Sequence, residues 1–289
     1  MVQKENLQQF GGDWTAEKLT HIRKYLAAYV TALKRQNFET IYVDAFAGTG
    51  YNTVKTDSSQ LDTVLSNLTE NDNQKFLDGS ARIALQVQPM FNKYVFIEKS
   101  QSRFVELEKL KAEFPDKAAR IELVREDANI FIRRFCSSMR QNQRAVIFLD
   151  PFGMQVSWET IQSIAATKKI DLWYLFPSGI GVNRMLKRDG NISESWKLKL
   201  NNIFGTDSWF EAFYLPNPQL SMFGDSGVVK DADQNSIKDY LIERLQTIFS
   251  QVAKNPLLLS NSKGSPLYLL CFAAEHPLAL KIAGDILRK

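Results

Sequence analysis

The sequence predicts an α/β protein: a mostly parallel seven-stranded sheet with an antiparallel last strand, plus a helical insertion. Three observations predict it. Short β-branched and aromatic runs alternate with helical patterns from Thr40 to Pro177, which implies parallel βαβ units. Those runs alternate little between apolar and polar residues, as strands covered on both faces do. Near the end, Leu257–Ser260, the turn NSKGSP and Leu267–Ala274 read as a hairpin, which makes the last strand antiparallel.

The elements follow in order. Asp13 or Thr15 can cap a first helix, whose Leu19, Ile22, Leu26, Tyr29, Val30 and Leu33 stripe packs on the sheet. The Lys and Arg residues between them are expected to face water. Thr40–Phe46 is a buried strand that runs into a glycine turn. Residues 51–79 are rich in Asn, Asp, Ser, Thr and Gln and read as a polar insertion. Gly79–Met90 rejoins the fold as a short helix. Lys93–Lys99 is the second strand, and Phe104, Leu107, Leu110 and Phe114 mark the next helix. Ile121–Asp127 is the third strand, followed by a helix over Asn129–Met139. Arg144–Asp150 is the fourth, and Ser157 caps a helix that buries Ile161 and Ile164. Ile170–Pro177 is the fifth. Residues 180–232 show no clear strand and read as a cap-like helical insertion over one edge of the sheet. A long helix over Ser236–Lys254 precedes the hairpin, and Pro277–Leu287 closes the chain as a helix with proline in its first turn. No internal repeat is present.

Composition sets the outer limits. The chain has 289 residues, of which 44% are hydrophobic and 24% charged, the proportions of a globular protein. No apolar run approaches the roughly 18 residues of a membrane span, and MVQKENLQQF lacks the apolar core of a signal peptide. The expectation is a cytoplasmic protein with no membrane partner. Two cysteines, Cys136 and Cys271, and two histidines, His21 and His276, leave no disulfide framework and point to no metal centre. A net charge of +4 is compatible with a polyanionic partner.

The chemistry-bearing residues stand at strand ends. Asp44-Ala45-Phe46-Ala47-Gly48-Thr49-Gly50 closes the first strand with a D-x-F-x-G-x-G loop. Gly48 and Gly50 let the backbone approach a ligand closely. No Gly-Lys-Ser/Thr follows, so the loop is not a P-loop. Glu98 ends the second strand, where an acid can accept from both hydroxyls of a ribose. It lies farther from Gly50 than the usual separation of about 20 residues, and the polar insertion accounts for the excess. Alone, Glu98 reads equally well as a solvated strand-end residue. Asp127, followed by Ala128, ends the third strand, where a carboxylate can accept from an adenine amino group or cap the following helix. Asp150-Pro151-Phe152-Gly153 ends the fourth, and standing alone it is a Pro-Gly turn. At the crevice beyond parallel strands it gains a second meaning. Asp150 and the backbone at Pro151 can hold an amino group, and Phe152 can stack on a flat ring. Four acidic strand ends in order are far less expected by chance than any one of them.

This constellation resembles the class I S-adenosylmethionine-dependent methyltransferases, over roughly residues 40–177 and 236–289. The resemblance implies a Rossmann-like fold over 1–289 with S-adenosylmethionine as cofactor. It puts the methionine part at Asp44, Phe46, Gly48 and Gly50, the ribose at Glu98, and adenine at Asp127 and Ala128. It makes Asp150, Pro151, Phe152 and Gly153 the catalytic motif. D-P-F-G resembles the D-P-P-Y motif of amino-methyltransferases but carries Phe152 and Gly153 in its last two places. It is also similar to the variant in a tRNA guanine-N2 methyltransferase family. Over nearly the whole length, FGGDWTAEKLTHIRKYLAAYVTALK, YVDAFAGTGY, VFIEK, FLDPFGMQVSW and IDLWYLFPSGIGVNRMLKRDG resemble the three-Cys-motif partner (TcmP) family of bacteria and mobile elements. That implies a partner encoded nearby, a three-Cys-motif protein resembling radical S-adenosylmethionine enzymes.

The activity expected is therefore methyl transfer to an amino group of a nucleic-acid base, DNA or RNA. The alternative is a binding subunit of the three-Cys-motif protein with no transfer of its own. The two differ in whether Asp150–Gly153 lies open or is plugged by residues 180–232. A dehydrogenase is disfavoured by the D-x-F-x-G-x-G and D-P-F-G strand ends. Arg184, Lys187, Arg188, Lys197 and Lys199, with Trp196, Phe204 and Trp209 nearby, can hold a phosphate backbone and stack bases, or form a solvated helix face over an aromatic mini-core. Arg133, Arg134, Arg140 and Arg144 read as a solvated helix and loop. Cys136 and Cys271 read as buried inert thiols, and His21 as a surface or packing residue rather than a base.

Overall fold

The computed structural model describes residues 13–47, 79–216 and 227–288. Gly48, Gly50 and most of the polar insertion lie outside the described residues. The sheet holds eight strands in the order β3-β2-β1-β4-β5-β10-β8, with β9 also paired to β10. Its first five strands are β1 (Glu39–Asp44), β2 (Lys93–Ile97), β3 (Ile121–Val124), β4 (Gln143–Leu149) and β5 (Ile170–Phe176). Adjacent members of this set pair in parallel. The intervening helices are α1 (Asp13–Leu33) before β1, α2 (Ser80–Gln86), α3 (Gln101–Glu113), α4 (Ala128–Ser138) and α5 (Trp158–Thr167).

Strand alternation divides the core into two layers. Ile41, Val43, Ala145 and Ile147 pack with α4 and α5 on one face. Tyr42, Tyr94, Phe96, Val146, Phe148 and Trp173 pack with α1, α2 and α3 on the other. Asp127 caps α4 by accepting from Asn129 N at 3.0 Å. Ser157 caps α5 by accepting from Thr160 N at 3.3 Å.

The chain after β5 begins helical, as the sequence reading has it, and departs from that reading in a short ribbon and in the end of the long helix. Ser178–Asn183 winds as a π-turn directly off the strand. An ideal Cβ on Gly179 would stand 1.9 Å from the Pro266 carbonyl oxygen, so only glycine lets this turn lie against the last strand. Next come α6 (Glu194–Phe204) and α7 (Trp209–Phe213). Residues 180–232 also contain strands: β6 (Tyr214–Pro216) and β7 (Val228–Lys230) form a separate two-stranded ribbon. The pattern was hard to read because the ribbon strands are only three residues each.

The helix expected to reach Lys254 is α8, Gln234–Gln246, started by a capping box between Asp233 and Ser236. It stops early because Gln251–Val252 forms β8 and pairs with Ala273–Ala274. The hairpin is present as β9 (Leu257–Ser260) and β10 (Pro266–Ala274), and β10 is antiparallel to β5. α9 (Pro277–Leu287) ends the described chain, with Pro277 in its first turn. This is a Rossmann-like α/β fold, a mostly parallel sheet covered on both faces with β10 antiparallel. Among the described residues, no helix is long and apolar enough to cross a membrane.

Candidate active site

Register brings the strand-end acids together. Asp44 pairs with Phe96 on β2 and with Phe148 on β4. Glu98 and Asp150 each follow two residues beyond those partners. Period-2 alternation therefore puts Asp44, Glu98 and Asp150 on the α1 face of the sheet, at the carboxyl ends of three adjacent strands. Asp127 follows β3 at the same end as the cap of α4.

Lys18 of α1 is 0% exposed, and its Nζ donates to Asp150 Oδ2 at 2.6 Å. It also lies 5.5 Å from the centre of the Phe148 ring. The expectation that the cations between the stripe residues face water holds for Arg23 and Lys24; Lys18, one position before the stripe, is buried. The helix passes its first turns over two buried carboxylates, Asp150 and Asp44, and a cation there meets opposite charge instead of solvent. Burial drives the Lys18 pKa below its ordinary value while Asp150 and Asp44 oppose the fall. Burial likewise raises Asp150, against the pull of Lys18. The signal was present in the sequence: positions 18, 22, 25 and 29 share one helical face.

Asp44 is 0% exposed. Its Oδ2 accepts from the Tyr42 hydroxyl at 3.3 Å, and its Oδ1 is buried without a hydrogen-bond partner among the described residues. Its pKa is pushed up to about 7, chiefly by burial, with a hydrogen bond from Ser80 opposing and the Asp150 charge adding to the rise. Phe46, just past the strand, packs against the α4–α5 layer.

Glu98 is buried. Its Oε1 accepts from Ser100 N at 2.6 Å, and Arg103 Nη1 stands 3.8 Å from Oε2. It is therefore not a solvated strand-end residue. Asp127 does cap its helix, and Lys99 Nζ approaches it at 3.4 Å. Ala128 is buried at the start of α4.

Asp150 makes its one hydrogen bond among the described residues through Oδ2, and its side chain keeps 10% exposure. Pro151 is buried and Phe152 half-buried against the α1 layer. Gly153 turns the loop with φ +67°, in the left-handed region that favours glycine. Among the described residues, the group that closes on Asp150 comes from α1, not from residues 180–232.

Two features read as ligand contacts or packing resolve as packing. Phe204 and Trp209 are buried, and Trp209 Nε1 donates to Asn201 Oδ1 at 2.6 Å, so both belong to the aromatic mini-core. Trp196 remains partly exposed with Lys187 Nζ 5.6 Å from its ring centre, and Arg184, Lys187 and Arg188 are exposed. Arg133, Arg134 and Arg140 are paired with Glu159, Glu126 and Glu39. Both cysteines are buried, and burial pushes the Cys136 thiol up to about 12, so neither is a ready nucleophile. His21 is buried, with Nδ1 2.7 Å from the Glu17 carbonyl oxygen, as a packing residue.

No family model and no curated protein matches the sequence. Solved structures similar to the chain include a Legionella pneumophila protein of family DUF519, at 13% identity and TM-score 0.44, covering 96% of this chain and 92% of that one. Spermidine synthase from Thermotoga maritima is similar at 11% identity and TM-score 0.40, covering 94% of this chain and 62% of the synthase. A putative methyltransferase, yhhF from Escherichia coli, is similar at 11% identity and TM-score 0.31, covering 87% of this chain and 86% of that one. With every TM-score below 0.5, these likenesses carry no functional weight, and the fold rests on its strand order.

Proposed function

We infer that the protein is an S-adenosylmethionine-dependent methyltransferase acting on an amino group, and that the amino group belongs to a base of DNA or RNA. The observation that carries this reading is the division of labour at Asp150. Lys18 holds Oδ2, and Oδ1 is left to accept from a substrate. An ionised carboxylate is acceptor-only, so Asp150 can take a hydrogen bond from an amine and turn its lone pair toward a methyl donor. Lys18 opposes the rise that burial imposes on the Asp150 pKa, which favours the ionised, accepting form. Orientation of this kind supplies much of the acceleration where little proton transfer is needed.

The residues fit the cofactor. The Oδ1 of Asp44, buried and without a hydrogen-bond partner among the described residues, would suit the ammonium of a methionine group. Glu98, a buried carboxylate held by Ser100 N at the end of β2, would accept from a ribose, and Asp127 with Ala128 at the start of α4 would contact adenine. When bound, the cofactor supplies a methyl group on a positively charged sulfur. The exposed Arg184, Lys187 and Arg188 and the partly exposed Trp196 support a nucleic-acid substrate. Incubation with methyl-labelled S-adenosylmethionine and DNA, tRNA or rRNA is expected to label a base amino group in one of them. Labelling of none, by protein that binds the cofactor, removes the nucleic-acid substrate.

The same ion pair also supports a second reading, a cofactor-binding subunit with no transfer of its own, since Lys18 occupies Oδ2 of Asp150 and leaves the side chain only 10% exposed. In that reading the chain belongs to the three-Cys-motif partner family and serves a radical-S-adenosylmethionine-like protein encoded nearby. A catalytically silent chain that co-purifies with such a protein is its expected result.

A further inference from the structure

A cavity of about 410 Å³ opens at the other end of the sheet, away from the strand-end acids. It lies between the second half of α1, the starts of β4 and β5, and the first turns of α9. Its volume falls within the range of small-molecule sites, about 300–1,000 Å³. Tyr25, Tyr29 and Leu33 form one wall, and Ala279 and Ile282 face them.

Two polar groups at this cavity have unused capacity. Asp171 Oδ2 accepts from the Tyr25 hydroxyl at 2.6 Å, and no ion pair to Asp171 is present among the described residues. Tyr29 is 7% exposed, and its hydroxyl makes no hydrogen bond among the described residues. Burial pushes the Asp171 pKa up to about 6, against the Tyr25 hydrogen bond and the more distant Arg144. This carboxylate lacks a close counter-ion.

The cations at the rim do not supply one. Arg144 stacks 3.9 Å over the Phe38 ring, and its Nη1 donates to the carbonyls of Gln141 at 2.9 Å and Gln143 at 2.7 Å. Lys169 Nζ approaches the Met139 carbonyl at 3.4 Å. Lys168 lies exposed at the mouth. On the α9 side, Glu275 Oε2 accepts from the Ser250 hydroxyl, and His276 Nδ1 caps the helix.

We propose that this cavity is a second ligand site, for a small organic cation with a flat or slender apolar body and an ammonium or amidinium head. Asp171 is the counter-ion, Tyr25 orients the carboxylate, Tyr29 adds a hydrogen bond, and the apolar walls bury the body. Nothing in this reading depends on S-adenosylmethionine binding.

Benzamidine is the probe, with neutral benzamide and anionic benzoate as its isosteric controls. Calorimetry on the wild type is expected to show one benzamidine bound per chain, with benzamide and benzoate at least tenfold weaker. Asp171→Asn, which still accepts from Tyr25, is expected to weaken benzamidine at least tenfold. Between pH 7.5 and 5 wild-type affinity is expected to fall, because protonation of Asp171 removes the counter-ion. The same fall in His276→Asn assigns it to the carboxylate. Failure of benzamidine to bind, equal binding of benzamide, preference for benzoate, or affinity unchanged by Asp171→Asn would overturn the proposal. If Asp171→Asn does not fold, the comparison of the three probes on wild type decides.

Discussion

Asp150→Asn is expected to lower methyl transfer about 100-fold or more, while S-adenosylmethionine binds as before. The substitution keeps the side chain's size and an oxygen for Lys18. It removes the negative charge, and it can turn an NH₂ donor toward the substrate amine, which the amine cannot accept without spending its lone pair. The loss belongs in kcat, because the interaction orients the reacting nitrogen and not the donor. Single-turnover transfer from labelled cofactor, with cofactor affinity measured on the same preparation, separates the two. Undiminished transfer would remove Asp150 from the site.

Lys18→Met is expected to destabilise the fold by roughly 3 kcal/mol at pH 8, since breaking a buried ion pair leaves an uncompensated charge. The deficit depends on pH, with a definite sign. Burial already raises Asp150 above its ordinary value, and Lys18 is the first influence opposing that rise. Without Lys18 the folded-state pKa climbs further above that of the unfolded chain. Stability from such a group is fully present below the unfolded pKa, near 3.9, and is lost as pH rises toward the folded value. Wild type and Lys18→Met should therefore melt close together at pH 4 and separate steadily toward pH 8. Adding Asp150→Leu to Lys18→Met should restore much of the loss, as apolar replacements of buried pairs often do. A deficit that is absent, or equal at both pH values, would mean that Asp150 does not depend on Lys18.

Most of the fold was legible because the strands are punctuated chemically. Asp44, Glu98, Asp127 and Asp150 each follow an apolar run, and parallel pairing makes their shared edge a consequence of strand order. The site itself was half legible. Local sequence shows which acids end strands, but it does not show what crosses over them, and Lys18 is 132 positions from Asp150. The apolar stripe of α1 begins at Leu19, so the stripe said nothing about which way Lys18 faces. Phe204 and Trp209 stayed open between two readings, since aromatics beside basic residues read alike whether they face a base or a core. The end of α8 was set by pairing between Val252 and Ala273, a contact that local helix periodicity cannot register. The two-stranded ribbon escaped for a related reason, its strands being too short to show a period.

The central claim is that the acidic strand ends hold S-adenosylmethionine, and calorimetry on wild type, Glu98→Ala and Glu98→Gln tests it most directly. Glutamine keeps an acceptor for Ser100 N and so controls for loss of the local turn. One cofactor is expected to bind per chain, with affinity reduced at least tenfold in Glu98→Ala and less severely in Glu98→Gln. Folded wild-type protein that binds no S-adenosylmethionine, or Glu98→Ala that binds it as tightly as wild type, would contradict it.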